Sequence, residues 1–229
     1  MGGEEVDLKE MTERFRKIPT PTVYDTLDSL GYENQCLSLD IKPLLHDMHV
    51  AGRAFTVRGA REPRTERMDP KFENWGMFKA MSPCNVVVVN AEKSSSCGVW
   101  GEMMSYTSRQ HGAVGIVIDG GIRDGRGVLR IPGWPVFVRY TSPVESAKRW
   151  RAHDFQIPIY MSGTLTSQVR VNPGDWVVGD MDGVIVVPQE IAQTVLLKAE
   201  EIESREEQTR QALAAGMPIE EVYEKFRRL

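Results

Sequence analysis

Two short β-branched runs constrain this chain more than any other feature. CNVVVVNA (84–91) and AVGIVIDGG (113–121) are apolar at consecutive rather than alternating positions. A strand with one wet face alternates, whereas a strand covered on both faces does not. The two runs therefore predict adjacent, fully buried strands. Between them, WGEMMSYTSRQHG (100–112) reads as a short helix stopped by Gly112. Strand, helix, strand is the order of an α/β layered domain, and 229 residues suffice for one such domain with its own core.

The flanking segments fill out that plan. Residues 5–16 and 20–31 read as helices, with Thr20 or Thr22 capping the second and Gly31 ending it. HVAGRAFTVR (49–58) alternates enough for a strand, and REPRTERMDPKFENWG (61–76) is a polar surface loop. PVFVRY (135–140) is a further strand. VRVNPGDWVVGDMDGVIVVP (169–188) has hairpin chemistry, with turns at PGD and MDG. From Gln189 the period changes: Ile191, Val195, Leu196, Ala199 and Ile202 share one helical stripe, which Gly216 and Pro218 end. This charged tail, 189–229, either covers its own sheet or packs on a neighbouring subunit, and the sequence leaves both open.

Charge and cysteine usage narrow the partners. Lys and Arg number 28 against 32 Asp and Glu, a net of −4, so no bulk electrostatic term favours nucleic acid. A local basic pocket for a small anion stays open. Cys36, Cys84 and Cys97 are odd in number and form no CxxC pair. Neither a disulfide framework nor a zinc site is indicated, and reduced thiols in a cytoplasmic protein are expected. The start, MGGEEVDLKEMTERF, lacks the apolar core of a signal peptide, and no run approaches the ~18 apolar residues of a membrane span.

The chemistry gathers where the buried strands end. IDGGIRD (118–124) closes one strand, and NAEKSSSCGVWGE (90–102) leads from the other into the helix. In α/β domains such loops meet at the carboxyl edge of the sheet. Gly120 and Gly121 permit a tight turn and close backbone approach. Glu102 falls in the first helical turn, whose unpaired amides suit a carboxylate or phosphate. Arg123 adds a charge-assisted contact to the same anion. Asp124 suits a hard cation that would polarise a substrate oxygen. These parts fit a 2-oxo acid and the enolate derived from it. The plainer readings are an exposed ion pair or a helix cap.

Other polar residues carry weaker signals. Asp119 either orients Arg123 or shapes the turn. Arg139, Lys148, Arg149 and Arg151 form either a site for a second substrate carboxylate or a solvated basic face. His111 reads as a helix-end residue, Asp180 and Asp182 as turn residues, and Cys97 as a bystander for want of a nearby base. DGGIRDGRG is not a P-loop, because no GKS or GKT follows.

Glu102, twenty intervening residues and Arg123-Asp124 resemble the acid-x20-Arg-Asp signature of the divalent-metal pyruvate aldolases. That family includes the 4-hydroxy-4-methyl-2-oxoglutarate / 4-carboxy-4-hydroxy-2-oxoadipate aldolases and shares its fold with RraA-like proteins. The likeness runs in order through TPTVYDTLDSLGY, AGRAFTV, GEMMSYTSRQHGAVGIVIDGGIRD, PVFVRYTSP, VNPGDWVVGDMDGVIVVP and REEQTRQALAAG. It implies a layered β/β/α swivelling-type domain over 1–229, with helical N- and C-terminal segments. It also implies cleavage of a 4-hydroxy-2-oxo acid to pyruvate and a second carbonyl compound, with oxaloacetate decarboxylation alongside.

Residue by residue, the resemblance implies Asp124 as the protein ligand to Mg2+ or Mn2+. Arg123 would hold the pyruvyl oxygens. Gly101 and the backbone of Met103 and Met104 would seat the carboxylate, and Glu102 would hold water around the metal. A homotrimer or homohexamer is implied, with Glu200, Glu201, Glu203, Glu206 or Glu207 of a neighbour completing the site. Two departures bear on the substrate. Many of these aldolases carry an acid where this chain has Gly127, and the first acid here is Glu102 rather than Asp. The alternatives are a lyase acting on a sugar-derived 2-oxo acid and a non-catalytic regulator of an RNA-processing enzyme. The regulators lose the Asp after the Arg; this chain keeps it.

Overall fold

A computed structural model describes residues 7–61, 75–93 and 96–226. The polar loop expected at 61–76 lies almost wholly outside the described residues. The core is a sheet in the order β1-β6-β5-β3-β2-β10-β11, with β4 added on β5 and β7 on β2. These strands are β1 (Lys42–Pro43), β2 (Val50–Arg61), β3 (Asn85–Asn90), β4 (Gly98–Trp100), β5 (Gly115–Ile122), β6 (Val136–Thr141), β7 (Trp150–Phe155), β10 (Trp176–Gly179) and β11 (Val184–Val187). The central run β2-β3-β5-β6 is parallel, and its flanks are antiparallel. A separate antiparallel pair, β8 (Ile159–Ser162) and β9 (Gln168–Val171), forms a second small sheet.

Burial explains the unbroken apolar run in β3. Val86 and Val88 pack with Val117, Phe137, Met161 and Val171 in a cluster that includes residues of the small sheet. Val87 and Val89 face the opposite way, into a cluster with Phe55, Phe78, Trp100 and Ile118. All four valines are fully buried, so both pleat faces are dry and the strand needs no polar alternation. Truncating one of these valines leaves a cavity of the kind that costs roughly 2 kcal/mol or more.

A third cluster joins the helices to the sheet. Helices α1 (Leu8–Phe15), α2 (Thr20–Ser29) and α6 (Ala192–Ala214) bury Phe15, Val23, Leu27, Val195, Leu196 and Ala199 against Trp176 and Val187. The stripe expected from Val195, Leu196 and Ala199 thus lies on the chain's own sheet and helices. Helices α3 (Trp75–Lys79), α4 (Glu102–Gln110), the single turn α5 (Gly125–Val128), α7 (Ile219–Phe226) and a 3-10 turn at Gln189–Ile191 complete the described elements. Among the described residues no helix is long and apolar enough to cross a membrane.

The structure departs from the expected local structure at three places, and one strand, WRAHDF, carries no sequence signal. The PGD turn does not close a hairpin: it carries the chain from β9 in the small sheet to β10 in the large one. Only the MDG turn joins paired strands. Neither Thr20 nor Thr22 caps α2. Buried Asp180, from that hairpin turn, accepts from the Thr20 backbone N–H at 2.8 Å and the Thr20 hydroxyl at 2.6 Å. A carboxylate 160 residues away thus takes the cap position that local sequence assigned to a threonine. WRAHDF forms β7 despite its polar composition, because pairing with the extended end of β2 supplies its backbone partners. Gly120 and Gly121 lie inside β5 rather than in a turn, and a register shift against β6 between Ile118 and Gly121 marks them.

Candidate active site

β5 and β4 end side by side and parallel, with Trp100 level with Ile122. The Arg123 N–H donates to the Trp100 carbonyl at 2.9 Å, which fixes the Arg123-Asp124 corner against the start of α4. The chain then reverses at Asp124, which holds φ 58° and ψ 30°. A left-handed conformation in a non-glycine residue is a local cost, tolerated best by Asp and Asn and concentrated at functional sites. Asp124 sits at the N-cap of α5, yet its side chain makes no capping bond. Its carboxylate stays 41% exposed.

Four of the expected residues converge here. A Cβ placed on Gly101 would come within 2.8 Å of Asp124 Oδ2 and 3.1 Å of Arg123 Cγ, so the bare glycine lets the helix start approach that corner. Gly101 is the N-cap of α4 and contributes no side-chain cap. The Ser105 amide is the first to bond back, to the Gly101 carbonyl at 3.0 Å. The amides of Glu102, Met103 and Met104 therefore lie in the turn that has no intrahelical acceptors. The Glu102 carboxylate crosses from α4 to lie against Gly127 on α5. Met103 is 65% exposed, whereas Met104 packs on the core.

Arg123 is weakly engaged. Its Nε lies 3.3 Å from Asp124 Oδ1, and one terminal nitrogen lies 3.8 Å from Glu145. Both separations exceed the 2.7–2.9 Å of a good charge-assisted bond. With five N–H donors, the guanidinium keeps capacity for an incoming anion. A groove of about 430 Å3 opens beside Asp124, lined also by Arg126, Leu129, Thr141 and Ser142; Arg123 is not part of its lining. Glu145, Arg126 and the Thr141-Ser142 pair were not expected from the sequence. Arg126 stands on α5, two residues beyond Asp124, whereas Thr141, Ser142 and Glu145 arrive through the end of β6 and its following loop.

Other expectations are redistributed. Asp119 does not touch Arg123. It is buried, bonds Arg139 Nε at 2.5 Å, and accepts from the Ser162 N–H and hydroxyl at 2.8 and 2.6 Å. Arg139 is also held by Asp40 at 2.7 Å and is only 13% exposed, so it is not a free cation for a substrate. Arg149 donates to the carbonyls of Glu145 and Ala147 at 3.2 Å. Cys97 is fully buried; its carbonyl, not its thiol, faces the Tyr140 hydroxyl, which donates to it at 3.1 Å. Burial pushes that phenol up. His111 ends α4 at its far side, about 13 Å along the helix from Glu102. The five tail glutamates all have basic partners within the chain: Glu200 binds Arg14 twice at 2.7 Å, Glu201 meets Arg205, and Glu203, Glu206 and Glu207 surround Arg210.

The fold and this strand-end corner define a class. A profile of the RraA-like family (Aldolase/RraA) matches residues 20–186, and the chain belongs to that family. A protein of Halalkalibacterium halodurans named "Putative 4-hydroxy-4-methyl-2-oxoglutarate aldolase" is 32% identical over 88% of this chain and 87% of its own. Protein DlpA of Legionella pneumophila is 30% identical over 89% of this chain, which spans about a third (32%) of DlpA's length. Among solved structures, one described as novel cellulases from gut-associated microbes superposes with TM-score 0.81 at 32% identity, covering 90% of both chains. RraAS2 of Streptomyces coelicolor, described as an unusual member of the RNase ES inhibitor RraA family, gives TM-score 0.74 at 29% identity. That match covers 88% of this chain and 97% of RraAS2.

Proposed function

We propose that this chain is a divalent-metal-dependent lyase that cleaves a 4-hydroxy-2-oxo acid to pyruvate and a second carbonyl compound. Oxaloacetate decarboxylation is proposed as a second activity, since it passes through the same pyruvate enolate. The observation that carries the reading is the Arg123-Asp124 corner set against the uncapped first turn of α4, with the Glu102 carboxylate alongside.

The donor set fits a hard cation. Asp124 offers an exposed hard oxygen donor, and a magnesium ion held there would take the rest of its shell from water and substrate. When bound, Mg2+ or Mn2+ supplies positive charge that polarises the 2-oxo group and stabilises the enolate. The protein's residues do the rest. The amides of Met103 and Met104 seat the substrate carboxylate, and the α4 dipole favours its charge. Arg123 forks onto the carboxylate and 2-oxo oxygens and offsets the charge that develops there. Glu102 holds water against Asp124 and serves the two proton movements: loss from the C4 hydroxyl, then return to C3 after the C3–C4 pair has moved to the 2-oxo group. A homotrimer or homohexamer, with a tail glutamate from a neighbour reaching the site, completes this reading.

The test is pyruvate release from oxaloacetate and from 4-hydroxy-4-methyl-2-oxoglutarate, with magnesium, with manganese and with chelator. Chelator-sensitive release from either is expected. Release from oxaloacetate alone would move the search to another aldol substrate, a sugar-derived 2-oxo acid included. No release from either would promote a second reading, a regulator of an RNA-processing enzyme, which the similarity to RraAS2 favours. In that case Asp124→Ala would leave partner binding intact.

A further inference from the structure

The loop after β6 brings a second carboxylate to Arg123, and backbone bonds hold that loop in place. The Ser142 amide donates to the Ile122 carbonyl at 2.9 Å, and the Gly98 amide donates to the Val144 carbonyl at 2.9 Å. Gly98 thus lies between two backbones, paired with Gly121 of β5 on one side and bridged to Glu145 on the other. Arg149 donates to the Glu145 carbonyl at 3.2 Å. A Cβ on Gly98 would stand 2.8 Å from that of Arg123, so bare backbone at 98 makes room for the arginine beside this loop. The Glu145 main chain is therefore fixed, while its side chain stays 47% exposed and free to swing.

Two carboxylates reach different nitrogens of one guanidinium: Asp124 lies 3.3 Å from Arg123 Nε and Glu145 lies 3.8 Å from Nη1. Water screens half-exposed charges at such separations, so the Glu145 pairing biases an equilibrium by at most about fivefold. That is too little to fasten a loop that backbone bonds already hold. It suits an occupant that yields to a better one, since a carboxylate forked onto the guanidinium at about 2.7–2.9 Å makes the stronger bond. We infer that Glu145 is a resident counter-ion of Arg123, a positioning residue that holds the guanidinium before substrate arrives and competes with the anionic substrate for it. The inference rests on the proposed role of Arg123 in binding a 2-oxo acid. Its consequence is a preset Arg123 with lowered affinity for anions, which favours release of an anionic product.

The experiment is a ligand-detected NMR titration of the full chain, with magnesium and at low ionic strength, using pyruvate and its uncharged twin pyruvamide. Glu145→Gln tightens pyruvate about three- to fivefold and leaves pyruvamide unchanged. Salt at about 0.5 M removes most of that gain, because the competing charges are exposed. Glu145→Asp, which keeps the charge, stays within about twofold of the wild type. In an Arg123→Met background, Glu145→Gln brings no gain. Unchanged or weaker pyruvate binding in Glu145→Gln would overturn the inference and leave the lyase reading standing. So would an equal gain for pyruvamide, a gain that persists in salt, or one that survives Arg123→Met. A wild-type chain that binds no pyruvate would overturn both.

Discussion

The Glu102 carboxylate occupies the space where any residue larger than glycine at position 127 would place its Cβ. These two residues stand on different elements and 25 positions apart (127 − 102), yet they share one space. The position Glu102 holds on α4 is open to it because α5 presents bare backbone there.

Gly127→Ala is therefore expected to push Glu102 aside and lower turnover about tenfold or more. Glu102 is a side chain that can swing away, so stability should fall by less than about 1 kcal/mol. Shortening the arm in the double variant Glu102→Asp, Gly127→Ala should restore part of the loss, a coupling that independent sites do not show. Strict additivity in pyruvate-release rates would mean the two residues do not act together.

Asp124 holds a left-handed conformation that glycine adopts without strain. Asp124→Gly should therefore unfold within about 1 kcal/mol of the wild type, because relief of strain offsets the added entropy of the unfolded chain. Metal-dependent turnover should vanish in both Asp124→Gly and Asp124→Ala. Paired melts and chelator-controlled assays check this, and retained turnover would remove Asp124 from the metal.

Arg123→Lys keeps the charge and loses the fork. With the guanidinium only loosely held by Asp124 and Glu145, its work is expected to lie in the substrate contact. Turnover should fall about 100-fold while the melting temperature barely moves. A rate near that of the wild type would make Arg123 structural.

Asp180→Ala removes the acceptor for two donors of Thr20 and a third at the Asp182 amide, 2.9 Å away. Leaving buried donors unpaired predicts a loss of about 2–3 kcal/mol in urea unfolding, with the slope unchanged. A change under about 0.5 kcal/mol would show that water replaces the carboxylate.

Burial pushes the Asp175 carboxyl up, although the amides of Asn172 and Gln189 hold its oxygens and oppose that shift. A raised carboxyl binds more protons folded than unfolded, so its burial cost is complete at neutral pH. That cost is relieved as pH falls through the folded value. The stability of the wild type relative to Asp175→Asn should therefore improve between pH 7 and pH 4, measured by chemical unfolding at each pH. A flat difference would mean the group titrates normally.

The sequence by itself determined the buried strands and their helix, because consecutive β-branched residues and a closing glycine are local facts. β3, α4 and β5 stand where CNVVVVNA, WGEMMSYTSRQHG and AVGIVIDGG predicted them. The sequence also singled out Gly101, Glu102, Arg123 and Asp124, through their spacing and a family resemblance. Tertiary structure alone decided the rest, since those outcomes depend on atoms distant in sequence. The parallel seat of β4 on β5 aligns the two loops. Asp180 reaches back to α2. Asp119 and Asp40 take Arg139 out of solution. WRAHDF is a strand only because β2 extends far enough to pair with it. Periodicity reports which face of an element is apolar; it carries no information about which distant polar group completes a hydrogen bond there.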